Sequence, residues 1–419
     1  MRISKTNKNK IVNDPVFGFI NISSEIYFDL IQHPYFQRLR RIRQLGLSFM
    51  VYPGANHTRF EHAMGAMHLM TSALSALKGK GHDITDEEAE AVTIAILLHD
   101  IGHGPFSHVL ENSIVEGVSH EDLSTLYLEE LNREFDGRLS MALDIFRDNY
   151  PKRFLHQLVS SQLDMDRLDY LRRDCFYTGV TEGVIGSDRI IEMLTVRNDQ
   201  LVIEAKGIYS IEKFLIARRL MYWQVYLHKT VIAAESLLVN TLRRARELVL
   251  QGETVFASPA LSYFLSNDCT LEDFKGDLKL NRENPLSIFA KLDDYDIISA
   301  IKVWQDHPDY ILSLLSYSLV NRNLFKIKMR SQTFSDAKIE DLTQRVLETF
   351  PITAEQIKYF LIQGSITNSA LSDNSDNIQI LFKNGKVSDI RDASDINLSV
   401  LAKTVRKHYL CYPREVNNK

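Results

Sequence analysis

The residues able to do chemistry in this chain concentrate in three short segments: HTRFEH at 57–62, HDIGHGPFSH at 99–108 and DMDRLD at 164–169. A lone histidine on an apolar helix is ordinarily a hydrogen-bonded core residue. Histidines repeated across two segments beside an aspartate instead point to a shared cation. Imidazole nitrogen and carboxylate oxygen together suit a divalent Mn, Fe, Ni, Zn or Mg, without choosing among them. The sharpest feature is His99-Asp100, which follows the apolar run AVTIAILL. An unpaired carboxylate buried there would cost several kcal/mol, and a cation relieves that cost by pairing the charge. Geometry sets one condition. Neighbours on a regular helix point about 100° apart, so both can face one ion if the helix ends there, as Gly102 permits. Residue types alone leave Asp164, Asp166 and Asp169 as alternative carboxylates from the third segment.

Helices must position these groups. Residues 59–78 read as one helix with Phe60, Ala63, Met64, Met67, Met70 and Leu74 on an apolar stripe. Residues 87–100 read as a second, buried all round in its later half, until Gly102, Gly104 and Pro105 break it. Further helices are expected at 105–114, 119–134, 138–149, 152–162 and 165–175. The stretch LTVRNDQLVIEA reads as a hairpin turning at Asn198-Asp199. From Ile208 to Leu250 there is neither Gly nor Pro. A helical tract so long, well over about 25 residues, calls for a kink or break. Beyond Gly252, helices are expected at 294–306, 309–321, 335–349 and 394–403. Strands are expected at 324–330, 358–363, 377–382 and 386–390, with SDNSDN at 372–377 as a loop. The expected architecture is mainly α: an N-terminal segment (1–50), a helical core (51–250) and a smaller α+β C-terminal region (251–419).

Composition sets the outer limits. With 419 residues, 45% hydrophobic and 25% charged, the chain is long enough for a large core. No run approaches the roughly 18 apolar residues of a membrane helix. The basic start MRISKTNKNK lacks the apolar stretch of a secretion signal and reads as a frayed end. Three scattered cysteines without a CxxC point to a reducing, cytoplasmic setting and away from thiolate metal sites. A net charge of −5 disfavours a stable nucleic-acid partner held by broad phosphate neutralisation, but leaves room for a small phosphorylated ligand.

The order HTRFEH, LLHDIGHGPFSH, DMDRLDYLRRDC resembles the HD-domain deoxynucleoside triphosphate triphosphohydrolases, a family that includes bacterial dGTPase-like enzymes and an animal SAM-and-HD-domain enzyme. The likeness is to the animal-type branch and runs from about Lys10 to Lys326. It implies an HD-domain helical core and one divalent metal ion per subunit, held by His62, His99, Asp100 and Asp166. Helix periodicity agrees with Asp166, because Asp166, Tyr170 and Asp174 share a face at i, i+4 and i+8. Asp169 is offset and can pair with Arg173, and Asp164 suits an N-cap. The resemblance further implies hydrolysis at the α-phosphorus to deoxynucleoside and tripolyphosphate. Arg59, Arg167, Arg218 and Lys229 fall where the family holds phosphates, Arg167 replacing the usual Lys. Gln44, Leu45, Tyr170, Asp174, Tyr226 and His228 fall on substrate contacts. A Tyr against the ribose would exclude a 2′-hydroxyl. His103, His108 and His120 are the proton-donor positions, with Glu121 beside His120 and Glu111 where the family commonly has Asp.

The animal-type likeness also implies a second nucleotide site at subunit contacts, matched here by Lys10, Asn13, Gln37, Arg40, Arg322 and Lys326. His33 replaces a guanine-reading aspartate and Phe19 a neighbouring histidine, so the expectation is a dimer or tetramer with weak or absent GTP activation. Two alternatives stand beside the nucleotide substrate. One is another HD-superfamily phosphohydrolase acting on nucleoside monophosphates, cyclic dinucleotides or other phosphoesters, since a shared metal core does not decide substrate. The other is a sensing or nucleic-acid-binding scaffold without turnover, which would carry a broken HD motif or a basic face.

Overall fold

The computed structural model describes residues 10–106, 109, 113–276, 284–368 and 377–417. Its central element is the helix Arg59–Gly79, opened by a capping box between Thr58 and Glu61. The expected stripe is there, yet His62, Gly65, Ala66, Leu69, Ala73 and Leu77 are buried as well, so this helix is enclosed on most of its circumference. It packs against Asp86–Leu98 on one side and Met165–Thr178 on the other.

Helix Asp86–Leu98, also capping-boxed through Thr85 and Glu88, is buried continuously from Ala91 to Leu98. It ends before His99, which is the condition the adjacent His-Asp pair required. Gly102 has a second role besides ending the helix. A Cβ there would overlap the backbone of His120, Leu123 and Ser124, so the turn closes tightly on helix His120–Glu134. The Ser124 hydroxyl locks that contact, accepting from the Gly102 amide at 3.0 Å and donating to the His99 carbonyl at 2.8 Å.

Helices Ser140–Phe146, Arg153–Val159 and Met165–Thr178 follow where expected. Half of the expected helix at 105–114 lies outside the described residues, as does most of the 372–377 loop. Asp164 caps Met165–Thr178 by accepting from the Arg167 amide at 2.7 Å, and Gly179, at φ 73°, ends it. The long tract breaks as anticipated. Helix Ile208–Met221 runs into a π-turn at Tyr222–Tyr226, and a new helix, Lys229–Leu250, starts under a His228 cap.

The strands are β1 (Lys10–Asp14), β2 (Gly18–Ile22), β3 (Leu194–Arg197), β4 (Gln200–Glu204), β5 (Lys326–Arg330), β6 (Ile362–Asn368), β7 (Gln379–Leu381), β8 (Val387–Asp389) and β9 (Val405–Tyr412). β1 and β2 form an antiparallel hairpin. The β3–β4 hairpin turns at Asn198 and Asp199, both with positive φ; β4 pairs in parallel with β7, which pairs antiparallel with β8. The third sheet has the order β5-β9-β6.

Two C-terminal expectations are corrected. Residues 354–359 form a 3₁₀ turn and the strand begins at Ile362, while 394–403 holds no continuous helix: two short turns, Ile390–Ala393 and Ser399–Ala402, flank an irregular stretch. β9 escaped the pattern because Leu410, Cys411 and Tyr412 are buried in succession, so its end carries no alternation of period two. The three cysteines are buried and unbridged. Among the described residues no helix is long and apolar enough to cross a membrane.

Candidate metal centre

Three helices deliver the donors. His62 lies one turn into Arg59–Gly79, His99 caps Asp86–Leu98, and Asp166 is in the first turn of Met165–Thr178. Their ligand atoms all lie within 4.8 Å of one another. His62 Nε2 is 3.3 Å from His99 Nε2, and Asp166 Oδ1 is 3.1 Å from the first and 3.5 Å from the second. Asp100 borders the cluster, with Oδ2 at 3.6 Å from His62 Nε2 and Oδ1 at 3.4 Å from His99 Nε2.

The outer nitrogens decide what the inner ones can do. His99 Nδ1 stands 2.7 Å from the Ile96 carbonyl, which only accepts, so Nδ1 carries the proton. His62 Nδ1 stands 2.7 Å from the Asp169 carboxylate and donates there. In its neutral form each ring therefore turns an Nε2 lone pair inward, toward the other ring and two carboxylates. Donors about 2.1 Å from one cation stand about 3.0–3.4 Å apart in octahedral or tetrahedral arrangements. The observed separations of 3.1–3.6 Å fit that, and the carboxylate-backed imidazole is the support a metal-binding histidine needs.

The electrostatics agree. Burial pushes the His62 imidazole down, but hydrogen bonds to Asp166 and Asp169 outweigh it and lift it to about 10. Burial likewise lowers His99, and Asp100 and Asp166 reverse this, raising it. Asp100 is held well below the usual carboxylate range against its burial, by His99, Arg59 and His103, and Asp166 is lowered against its burial by His62 and His99. The cluster thus holds positive charge strongly, as protons or as a cation.

Around it, Arg59 is ion-paired with Asp100. His103 Nε2 lies 3.3 Å from Asp100 Oδ1, and its ring stacks on His120 at 3.8 Å between centroids. Burial and the Arg59 charge push His103 well below the ordinary imidazole value. Glu121 is exposed and 4.0 Å from His120, which opens its helix just after the Ser119 cap. His108 and Glu111 lie outside the described residues.

Tyr170 and Asp174 follow Asp166 on one helix face. The Tyr226 hydroxyl donates to Asp174 Oδ2 at 2.8 Å, and the Tyr170 and Tyr226 rings meet edge-on at 6.0 Å. Arg218 donates to Gln162 at 3.1 Å and lies over Tyr222. Arg167 Nε bonds the Ser161 carbonyl at 2.6 Å. Among the described residues, the buried Oε1 of Gln44 has no hydrogen-bond partner. Leu45 is half-buried, His228 accepts from the Thr230 amide at 3.2 Å, and Lys229 is exposed.

The second set comes from three stretches of the chain. Lys10 lies over the Phe28 ring and Asn13 is exposed on β1. Gln37 accepts from Arg40 at 3.0 Å, Arg322 donates to the Met50 carbonyl at 2.8 Å, and Lys326 opens β5.

Sequence reasoning missed three supporting residues. Asp169 read as an ordinary i+4 partner of Arg173, and it is that pair, yet its Oδ2 also holds His62. His57 opens the HTRFEH segment but was given no role, and its Nε2 lies 2.7 Å from Asp174 Oδ1. Gly65 looks like a routine small residue, whereas a Cβ there would overlap the Asp169 and Arg173 side chains.

Comparison with known proteins places this geometry. The HD domain model matches residues 59–173 and the HD associated region model matches 185–259. A crystal structure of a phosphohydrolase from Bacteroides thetaiotaomicron is similar at 56% identity and TM-score 0.93, over 97% of this chain and 100% of that one. The uncharacterized protein YwfO of Bacillus subtilis is 30% identical over 98% of this chain and 94% of its own. A deoxynucleoside triphosphate triphosphohydrolase SAMHD1 homolog of Dictyostelium discoideum is 31% identical over 59% of this chain and 51% of its own. With its histidine–aspartate cluster inside the matched region, the chain belongs to the HD-domain family of metal-dependent phosphohydrolases.

Proposed function

We propose that this enzyme hydrolyses deoxynucleoside triphosphates to deoxynucleoside and tripolyphosphate, at a cation held by His62, His99, Asp100 and Asp166. The observation that carries the reading is the continuity of the metal face with an aromatic, acid-lined wall: Asp166, Tyr170 and Asp174 on one helix, closed by Tyr226. The similarity to the Dictyostelium triphosphohydrolase supports it.

When bound, the dication lowers the pKa of a water molecule and polarises a phosphoryl oxygen. Arg59, already beside Asp100, adds a fixed positive charge at that point. Arg167, Arg218 and Lys229 supply further charge for the outgoing phosphates. Tyr170, one turn beyond Asp166 on the same helix, excludes a 2′-hydroxyl by bulk. Asp174, braced by Tyr226 and His57, offers an acceptor to a sugar hydroxyl. Gln44, with its free Oε1, and Leu45 line the base end. Protonation of the leaving oxygen falls to His120 or His108, because burial and the Arg59 charge disfavour the protonated form of His103, which serves to orient its stacked neighbour. The active species is a dimer or tetramer, and Lys10, Asn13, Gln37, Arg40, Arg322 and Lys326 supply a phosphate-binding cluster between copies.

The test is incubation with each deoxynucleoside triphosphate and Mn or Mg, followed by chromatography of the phosphate products. Tripolyphosphate is the expected product; pyrophosphate or orthophosphate would overturn the reading. Light scattering that gives the mass of one chain, with and without nucleotide, would reject the oligomer.

A further inference from the structure

We infer that Asp14, at the end of β1, is a positioning residue for the metal centre, acting on His62 through Arg173 and Asp169. The inference rests on the assignment of His62 as a ligand. The path is continuous and buried. Asp14 Oδ2 accepts from Arg173 Nη1 at 2.7 Å. Arg173 forks onto Asp169 through Nε at 2.9 Å and Nη2 at 3.0 Å. Asp169 Oδ2 then accepts from His62 Nδ1 at 2.7 Å. The Arg173 and Asp169 side chains are fully buried and that of Asp14 is 3% exposed.

Charge explains why the outer carboxylate matters. A buried guanidinium facing one carboxylate draws that carboxylate's electron density to itself and leaves a poorer acceptor for the imidazole. Two carboxylates sharing one guanidinium leave a surplus negative charge on the layer behind His62. That surplus strengthens the Nδ1–H hydrogen bond and makes Nε2 a better donor to a cation. It also pins the guanidinium, so Asp169 cannot rotate with it. Asp14 divides its oxygens between two tasks. Oδ1 accepts from the Val16 and Phe17 amides, each at 2.9 Å, and shapes the hairpin turn, while Oδ2 reaches Arg173. Phe17 seals the path, with its ring over Arg172 and Arg173. The hairpin that carries Lys10 and Asn13 is thereby joined to the metal site by three hydrogen-bonded steps, so displacement of the hairpin loosens the hold on the cation.

The experiment is manganese titration of the metal-stripped full chain, followed by the spin-resonance signal of free Mn²⁺, which reads binding rather than turnover. Asp14→Asn keeps an oxygen for the turn amides but removes the charge, and should weaken manganese binding about five- to tenfold, at or just below the lower end of what losing a ligand's direct support costs. Asp14→Glu restores the charge and should return the affinity to within about twofold of wild type. Asp169→Asn serves as reference, with a loss of at least about tenfold. Wild-type affinity in Asp14→Asn beside a loss in Asp169→Asn would overturn the inference and leave the metal centre standing. Wild-type affinity in His62→Ala would overturn the metal assignment itself. Should Asp14→Asn fail to fold, Arg173→Lys carries the test, since a lysine cannot bridge two carboxylates as a fork; unchanged affinity there would equally overturn the inference.

Discussion

The Nε2 atoms of His62 and His99 face each other across 3.3 Å while each ring's Nδ1 is held by an acceptor, Asp169 for one and the Ile96 carbonyl for the other. Two lone pairs aimed at one point, beside Asp166 and Asp100, are mutually repulsive unless a proton or a cation lies between them. This relationship makes the centre sensitive to metal, pH and packing in ways that can be measured separately.

Removal of one imidazole should remove the cation. His99→Ala is expected to reduce phosphohydrolase turnover to background. Manganese at 100 times its Kd should stabilise the wild type by about 2.7 kcal/mol, seen as a rise of several degrees in Tm, and should not shift the variant. An unchanged metal-dependent Tm in His99→Ala would reject the ligand set.

Metal binding should expel protons. His62, raised to about 10, holds a proton near neutral pH in the metal-free protein, and Asp100 and Asp166 raise His99 as well. A cation displaces such protons, so affinity should climb with pH, with release of about one to two protons per ion. Calorimetry in buffers of different ionisation enthalpy counts them. For the metal-free fold the sign is opposite: the raised His62 contributes stability that is fully present below its ordinary 6.5 and is lost as pH rises through about 10. Denaturant melts of the EDTA-treated protein on either side of that window should show the loss.

Gly65→Ala should damage the site from behind. Its Cβ would overlap Asp169 and Arg173, which fix His62. Overpacking of this kind costs about 1–3 kcal/mol, and manganese affinity should fall with it. A variant with wild-type Tm and affinity would show that the packing there is looser than the structure describes.

Tyr226→Phe should separate nucleotide binding from metal binding. The substitution removes the hydroxyl that donates to Asp174 at 2.8 Å. A hydrogen bond to a charged group is worth about 1.5–3 kcal/mol, so kcat/KM for the nucleotide should drop about tenfold or more while manganese affinity stays put. Steady-state kinetics beside the titration distinguishes the two, and a parallel loss of both would place Tyr226 in structural support instead.

Much of the framework was legible in local residue patterns. The Thr58–Glu61 and Thr85–Glu88 boxes, the Asp164 cap, the Asn198-Asp199 turn and the break after Met221 all follow from interactions within a few residues. β9 and the β4–β7 pairing were not, because long-range strand partners leave no local mark, and β9 ends in consecutive buried residues.

The candidate site divides along the same line. By itself the sequence determined which residue types gather, that the helix must stop at the His99-Asp100 pair, and which face carries Asp166, Tyr170 and Asp174, since helical periodicity and chain breakers act over short range. Tertiary structure alone decided that His62 Nδ1 meets Asp169, that Gly65 makes room for that meeting, that His103 stacks on His120, and that Asp14 reaches Arg173 from 159 positions away. The physical reason is that orientation, burial and charge sharing depend on which distant helices pack together, and the spacing of residues along one chain does not encode the angle at which two helices meet.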